Sequence, residues 1–445
     1  MFWSHGFAGR GAARCGKCAD SGAGLPVTRT ATGSALTTIS GNAASSAGID
    51  SGYAWTRLGI SLLLATIGGV GMWAVVVVLP AIQAEFGIDR AAASMPYTAT
   101  MVGFAAGNVL VGRAIDRMGY WIPALASAAA LAAGFLLASL TNSILGFALV
   151  QGVLIGVGTS AIFGPLIADI SHWFNRRRGV AVTAAASGSY LAGAVWPIVI
   201  PYIMRGEGWR FAYAAIGVFC LATMVPLVLM LRRGAPQQAT SGSPGSRPVQ
   251  PISLSPSALQ TLLVVAGFGC CMAMSMPQVH IVAYCMDLGY GVARGADMLS
   301  IMLAAGVVSR IGSGFLADRI GAVKTLLIGS ALQCLSLLFY IPFDGLASLY
   351  VVSLVFGLSQ GGIVPCYAII VRDYMPAKEA GQRVGIVMMA TIFGMAVGGW
   401  MSGWIYDLTG SYAAAFLNGI AWNLVNLTAV LLLMWKARRN AESLA

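Results

Sequence analysis

The chain is 445 residues long, and 58% of its residues are hydrophobic whereas only 9% are charged. In ordinary soluble domains roughly a quarter of the residues are charged. This composition therefore excludes a soluble globular protein and indicates a chain that crosses a membrane several times. The formal net charge is +11, but the basic residues are spread along the chain at the ends of apolar segments and do not form the single patch typical of a nucleic-acid interface.

The first segment, residues 1–49, is rich in Ala, Gly, Ser and Thr and lacks the apolar run that a signal peptide requires. We expect it to be a disordered tail. Cys15 and Cys18 form a lone CxxC pair in this tail, without the second pair of ligands that a structural zinc site needs. We therefore expect neither a metal nor another cofactor. The other cysteines lie in or beside apolar segments, where Cys commonly behaves as a small apolar residue.

Twelve apolar segments follow the tail, and each is near the ~20 residues that a membrane-spanning helix requires. Their predicted bounds are about 56–80, 91–112, 120–140, 143–168, 178–203, 211–231, 257–283, 295–316, 322–342, 346–371, 382–405 and 411–435. The segment 233–256 interrupts this series, and its Pro, Ser, Gly and Gln content is typical of a flexible linker. Residues 437–445 are predicted to be a short tail.

The basic residues lie mostly on one side of the membrane in this twelve-helix topology. The opposite side keeps only Arg90, Arg205, Arg210 and Arg294. By the positive-inside rule, both termini and the central linker are predicted to be cytoplasmic. Topology accounts for the net charge, so we expect a multi-pass protein of the inner or plasma membrane, with the lipid bilayer and no nucleic acid as its partner.

Two short motifs stand at the edges of predicted helices: Asp50–Trp55 (DSGYAW) opens helix 1, and Trp173–Arg178 (WFNRRR) lies between helices 4 and 5. Both resemble motifs of the monocarboxylate transporters, a branch of the major facilitator superfamily. Ser51 and Ala54 stand where that family usually has glycine, and Trp173 stands where it has tyrosine. Alternatively, the first motif is part of an aromatic belt at the membrane interface, and the second is a basic anchor at the membrane surface. Neither motif identifies a substrate.

A charged turn occurs after helix 2 and again after helix 8. Its residues are Asp116, Arg117 and Gly119 in the first copy and Asp318, Arg319 and Gly321 in the second. The turns resemble the loop signature of the major facilitator superfamily. This repeat predicts an all-α membrane protein of the major facilitator fold, with six-helix bundles over 50–232 and 257–436. We interpret the turns as gating elements of alternating access, and topological anchoring is the alternative.

Arg310 is the basic residue that lies inside a predicted span, helix 8. Placing a charge in the middle of a membrane helix costs roughly 2.5–3.5 kcal/mol on insertion scales, so we expect Arg310 to face a polar cavity or a partner. A guanidinium binds a carboxylate through two parallel hydrogen bonds, and Arg310 matches the helix 8 arginine of monocarboxylate and oxalate/formate transporters. A structural arginine bound to backbone carbonyls is the alternative.

Further cargo contacts are predicted near the bilayer midplane, where such carriers bind their substrates. The residues are Trp73 on helix 1, Tyr190 on helix 5, Gln278 and His280 on helix 7, and Tyr367 on helix 10. Tyr and His have an apolar body and one polar tip, which suits a small organic anion better than a sugar. Tyr367 is near a binding tyrosine of oxalate/formate transporters. Each residue is alternatively a core residue whose polar atom has a protein partner.

Two departures from those families bear on the cargo. Gly306 stands where animal monocarboxylate transporters have an aspartate one turn before the arginine, and we expect no acid deep in any span. Helix 11 also lacks the lysine that gives oxalate/formate transporters a second positive charge. A single cation favours a monovalent anion, and proton coupling is left to His280 or to the cargo acid itself.

We therefore expect a secondary active transporter of a small organic monoanion, a monocarboxylate, that works by symport or antiport and functions as a monomer. A carboxylate exchanger and a proton-driven drug or metabolite exporter are alternatives, although the exporter would need a Gly-Pro signature in helix 5 and buried acids. A carboxylate sensor would need a large cytoplasmic domain. An enzyme is not expected, because no nucleophile, base and orienting acid are grouped in the spans.

Overall fold

In the computed structural model, residues 49–234, 254–376 and 379–442 are described, and all regular structure within these ranges is helical. Twelve helices are long and apolar enough to cross a membrane, as predicted. They are α1 (Gly52–Phe86), α2 (Arg90–Met118), α3 (Trp121–Ser139), α4 (Ile144–Trp173), α5 (Arg178–Ile203), α6 (Gly208–Met230), α7 (Pro256–Asp287), α8 (Val292–Ile320), α9 (Ala322–Phe339), α10 (Leu346–Tyr374), α11 (Ala380–Thr409) and α12 (Tyr412–Glu442). The predicted tail, with Cys15 and Cys18, and most of the predicted linker lie outside the described residues.

Helix ends differ from the prediction where polar residues continue a span beyond its apolar part. Helix α1 has 35 residues and runs well past the predicted stretch 56–80. Helix α12 continues to Glu442, so part of the predicted tail 437–445 is helical. Basic residues such as Arg439 at the carboxyl end of a helix interact favourably with its dipole, which stabilises these extra turns.

Three spans are broken near their middle. Helix α1 consists of two pieces that meet at Gly69. Helix α4 contains a π-helical segment, Gln151–Gly156, and a non-helical stretch before Gly164. Helix α10 breaks between Gln360 and Ile363. Breaks in membrane helices release backbone groups that can bind other parts of the protein or a ligand.

The break in α10 depends on glycine. A β-carbon at Gly361 would lie 2.2 Å from the backbone oxygen of Gly306 on α8, and one at Gly362 would lie 2.0 Å from the hydroxyl of Ser313. No residue with a side chain fits at either position, so these two glycines let α10 and α8 approach closely. Small residues at helix contacts are the usual way in which membrane helices achieve such packing.

We call α1–α6 the N half and α7–α12 the C half. The linker end is the end at which α6 finishes and α7 begins, and the far end is the opposite one. The halves pack together through α2 against α11 and through α5 against α8. Residues 46–445 form one compact unit, so the bundle bounds 50–232 and 257–436 stay a prediction.

Candidate functional site

A cavity of about 110 Å³, here called the central cavity, lies between the two halves. Helices α1, α2, α5, α7, α8, α10 and α11 contribute to its lining, together with the broken part of α4. Four of the predicted cargo residues meet in this lining: Trp73, Tyr190, Gln278 and Arg310. The structure therefore brings together residues from four helices that are distant in sequence.

Arg310 is 7% exposed and is held by backbone carbonyls of two other helices. Its Nη1 donates to the oxygen of Ala186 on α5 at 2.7 Å, and its Nε donates to the oxygen of Gly361 at 3.3 Å. The second of these oxygens belongs to the break in α10. In the described part of the chain no carboxylate lies within 4.0 Å of this guanidinium. Hydrogen bonds to the backbone orient the guanidinium, as expected for an arginine with a structural role. These bonds leave its positive charge without a counter-ion.

Tyr190 covers one face of this guanidinium. The centre of its ring lies 4.2 Å from the Cζ atom of Arg310, a distance typical of a cation–π contact. The same ring occupies the space beside Gly306, where a β-carbon would lie 2.4 Å from it. Gly306 has no side chain, whereas the animal monocarboxylate transporters that the sequence resembles have an acid there. The glycine thus makes room for an aromatic ring that packs against the arginine without neutralising its charge.

Gln278 presents a polar side chain to the cavity from α7. It is 2% exposed, and its Nε2 donates to Oε1 of Gln360 at 2.6 Å. Gln360 is fully buried at the break of α10. Neither Oε1 of Gln278 nor Nε2 of Gln360 has a hydrogen-bond partner among the described residues. Buried amides are nearly always satisfied, so this pair is an exception that calls for an explanation.

The remaining wall of the cavity is apolar. Trp73 uses its only polar atom to reach the oxygen of Ser189 at 3.2 Å, which leaves its ring as an apolar surface. The wall is rich in sulfur and aromatic side chains, among them Met72, Met101, Met274, Met388, Met395, Phe104 and Phe163. Methionine side chains adapt to ligands of different shape, so this wall can accommodate an apolar group without a precise fit.

His280 and Tyr367 are not part of this lining. Both are fully buried. Nε2 of His280 lies 2.7 Å from the oxygen of Gly399, and the hydroxyl of Tyr367 donates to Oδ1 of Asn426 at 2.9 Å. Their polar atoms have hydrogen-bond partners on neighbouring helices, as expected for residues of the protein core. Direct contact of either residue with a cargo stays a prediction.

The two charged turns lie at the linker end. Asp116, Arg117, Asp318 and Arg319 are exposed, and within the described ranges none of them forms an ion pair. The turns need their glycines, because Gly119 has φ 76° and ψ 175° and Gly321 has φ 89° and ψ 152°. Their role as gating elements stays a prediction.

An ion pair that sequence reasoning missed lies near the linker end of the N half. Nε of Arg57 is 2.9 Å from one carboxylate oxygen of Asp169, and Nη2 is 3.0 Å from the other. Nη1 of Arg57 also donates to the oxygen of Leu231 at 3.1 Å. Asp169 is 7% exposed and lies four residues before the end of α4, so it is buried near the end of the span and not deep within it. The expectation that no acid lies deep in a span stays a prediction. The available signal was an aspartate that directly follows the apolar segment 143–168.

A second missed cluster joins the halves at the far end, and we call it the far-end lock: Arg90, Asp287, Asp407 and Tyr412. Nη2 of Arg90 on α2 is 3.1 Å from Oδ1 of Asp287 on α7, and its Nη1 donates to the hydroxyl of Tyr412. The backbone N–H groups of Arg90 and Ala91 donate to Asp407 on α11 at 2.9 and 2.7 Å. A carboxylate of the C half therefore caps the amino end of a helix of the N half.

The chain matches a known protein family and several curated relatives. A family model described as Major Facilitator Superfamily matches residues 61–343 and 287–445. Monocarboxylate transporter 13 of Bos taurus is 26% identical over 291 residues, which are 64% of this chain and 67% of that protein. The MFS transporter asaE of Aspergillus flavus is 26% identical over 58% of each chain. Human monocarboxylate transporter 11 is 27% identical over 64% of this chain and 62% of its own length. The chain thus matches about two thirds or less of these relatives.

Solved structures share the fold at low sequence identity. A bacterial homologue of the human lysosomal transporter Spinster, in an inward-facing and occupied conformation, superposes with a TM-score of 0.70 at 11% identity, over 87% of this chain and 98% of that chain. The nucleoside transporter NupG gives a TM-score of 0.68 at 13% identity, over 84% and 99% of the two chains. These likenesses confirm the predicted fold class.

Proposed function

The chain belongs to the major facilitator superfamily, and from this premise we propose that it is a secondary active transporter of a small organic monoanion, a monocarboxylate, working by alternating access. The observation that carries the proposal is Arg310, a buried guanidinium in the cavity between the halves that has no counter-ion among the described residues. A fixed positive charge in an apolar site favours an anion, and the planar fork of arginine matches a carboxylate.

The number of charges supports a monovalent cargo. Arg310 is the only charged residue among the described ones that line the central cavity. A dicarboxylate would leave its second negative charge among methionine and aromatic side chains, and burying an uncompensated charge is strongly unfavourable. One cation and an apolar wall fit one carboxylate attached to an uncharged body.

Contacts between the halves support an alternating-access cycle. The far-end lock and the hydrogen bond from Thr98 to the oxygen of Ala396, 2.8 Å long, hold the far end together. The charged turns at the linker end are exposed. We propose that the central cavity exchanges its cargo through the linker end in this conformation, and that release of the lock opens the other route. Rearrangement around a fixed site near the middle of the membrane is how such carriers operate.

Orientation and coupling complete the proposal. We place the linker end and both termini in the cytoplasm, because the basic residues concentrate there. The protein works as a monomer in the inner or plasma membrane and carries out no catalysis, and its relatives are transporters. A proton, carried by His280 or by the cargo acid, accompanies transport.

The methionine-rich wall favours one further candidate, an exporter of larger drug-like molecules. Such a carrier would accept uncharged or cationic compounds, for which an unpaired guanidinium is unfavourable. Transport of neutral apolar compounds by the unmodified protein, at a rate that Arg310→Ala leaves unchanged, would support the exporter and contradict the monoanion carrier.

Uptake into proteoliposomes tests the proposal. The cargoes are labelled lactate, pyruvate, formate, oxalate and an uncharged sugar, each with and without a pH gradient. We expect uptake of monocarboxylates and none of the sugar. Arg310→Ala should lower carboxylate uptake at least tenfold, since hydrogen bonds to charged groups contribute about 1.5–3 kcal/mol. The matched control is Arg205→Ala, which removes an exposed arginine outside the cavity. Normal carboxylate transport by Arg310→Ala protein would contradict the proposal.

A further inference from the structure

The amide pair of Gln278 and Gln360 is the feature of the central cavity that the carboxylate site does not use. The two side chains make one hydrogen bond with each other, at 2.6 Å. A pair of amides has two acceptors and two N–H₂ groups, so one bond leaves much of this capacity unused. Oε1 of Gln278, in a residue that is 2% exposed and lines the cavity, has no partner among the described residues.

This conclusion does not depend on how the two amides are oriented. Exchanging oxygen and nitrogen in both side chains preserves the hydrogen bond between them and leaves an N–H₂ group of Gln278 unpaired instead. In one arrangement the free position of Gln278 accepts a hydrogen bond, and in the other it donates one. A hydroxyl group both donates and accepts, and it is therefore the group that satisfies Gln278 in either arrangement.

The rest of the wall indicates what carries that hydroxyl. Met72, Met101, Met274, Met388 and Met395 come from four different helices and surround the polar groups with apolar surface. A short acid such as lactate has almost no apolar surface to pack against these side chains. Burial of apolar groups favours a larger cargo by about fourfold in affinity for each methylene group. Methionine also accommodates flat and branched groups equally well.

We propose that the cargo is a hydroxylated monocarboxylate with an apolar body, such as an aromatic hydroxy acid. Arg310 binds the carboxylate, Gln278 binds the hydroxyl, and the methionine-rich wall holds the body. Gln360 is a positioning residue, because its bond to Gln278 fixes the amide that meets the cargo. This inference rests on the proposed function and narrows it to one class of anion.

Uptake of matched anions into proteoliposomes tests the inference. The pairs are 3-phenyllactate with 3-phenylpropanoate, 3-(4-hydroxyphenyl)propanoate with 3-phenylpropanoate, and lactate with propanoate. We expect kcat/KM for at least one aromatic hydroxy acid to exceed that for 3-phenylpropanoate about tenfold, the loss typical of one buried hydrogen bond left unmade. The same acid should exceed lactate by a larger factor. Equal rates for the hydroxylated and plain aromatic acids, or a preference for lactate, would overturn the inference.

Variants locate the discrimination. In Gln278→Leu protein, the ratio of kcat/KM for the hydroxylated acid to kcat/KM for 3-phenylpropanoate should fall close to one, while 3-phenylpropanoate is still taken up. Gln278→Asn keeps an amide and should restore part of this ratio. Gln260→Leu is the matched control, because Gln260 lies on the same helix outside the cavity and bonds to the oxygen of Arg383. A preference that survives in Gln278→Leu protein would overturn the assignment. Failure of the proposed function looks different: no carboxylate is transported at all, or Arg310→Ala has no effect.

Discussion

The two ends of the interface between the halves use charged residues in opposite ways. At the far end, Arg90 of the N half is surrounded by Asp287, Asp407 and Tyr412 of the C half. At the linker end, each half keeps its charges in its own exposed turn, with Asp116 in one half and Asp318 in the other. The comparison teaches that charge pairing between the halves, rather than charge content, distinguishes a joined end from an open one.

This difference has an energetic basis. The side chain of Arg90 is 7% exposed and that of Asp287 is 27% exposed, so their pair is much less screened by solvent than a surface pair. The exposed turns have no such contribution. A carrier with one shielded lock can switch states when the lock opens and a comparable set of contacts forms at the other end.

Arg90→Ala is expected to have the largest effect on this asymmetry. It leaves Asp287 without its cation, whereas Asp407 keeps its two backbone N–H partners, and removing one partner of a buried pair costs about 3–5 kcal/mol. Because Asp287 is partly exposed, we expect about 2 kcal/mol, or roughly a 30-fold shift away from the conformation closed at the far end. Distances between spin labels at Ile88 and Ser411 would measure the shift. Unchanged distances would show that the lock does not hold the far end.

Gly119→Ala and Gly321→Ala address the linker end. Both glycines have a backbone conformation that residues with a β-carbon avoid, at a cost of about 1–3 kcal/mol. We expect each variant to slow transport several-fold and to lower thermal stability, with the double variant slower still. Gly112→Ala is the control, since this glycine lies within α2 and a β-carbon there meets no atom within 4 Å. Transport at the same rate in Gly119→Ala, Gly321→Ala and the control Gly112→Ala would contradict a gating role of the turns.

Asp407→Asn is a milder change to the lock. The asparagine keeps one acceptor oxygen, for the N–H group of either Arg90 or Ala91, and the negative charge at the start of α2 is lost. Such a charge contributes about 0.3–1 kcal/mol, so the distance distribution between the same labels should shift by only about two- to fivefold. A shift as large as that of Arg90→Ala would mean that Asp407, rather than the arginine, is the main element of the lock.

His280→Ala is expected to have the smallest effect on the maximal rate. His280 lies beside the lock, with Nδ1 3.4 Å from the hydroxyl of Tyr412. As the proposed proton carrier, it should influence how uptake depends on pH more than how fast it is at the optimum. Uptake measured between pH 5 and 8 checks this. An unchanged pH profile would exclude His280 as the group that carries the proton, and the cargo acid would be the remaining candidate.

The sequence was sufficient for the twelve helices, because hydropathy is a local property that needs no knowledge of neighbours. It also identified four cavity residues. Gln278 and His280 could not both have faced one site, since residues two apart on a helix point in nearly opposite directions, and the structure turns Gln278 to the cavity and His280 to α11. Sequence reasoning could have used this constraint to choose between them.

The lock and the amide pair were beyond such reasoning. Arg90 and Asp407 are 317 positions apart, and no periodicity within one segment connects residues so distant. Gln360 looks like an ordinary polar residue until the break in α10 places its amide against α7. These contacts depend on how helices approach each other, which is a property of the whole assembly.

The bond between Nε of Arg310 and the oxygen of Gly361 has a mechanical consequence. That oxygen is available because α10 is broken there, so one side chain links the proposed anion site to the break in another helix. An anion bound by Arg310, as proposed, would compete with this oxygen for the guanidinium. Binding of the cargo would then change a contact of α10 as well as the charge in the cavity.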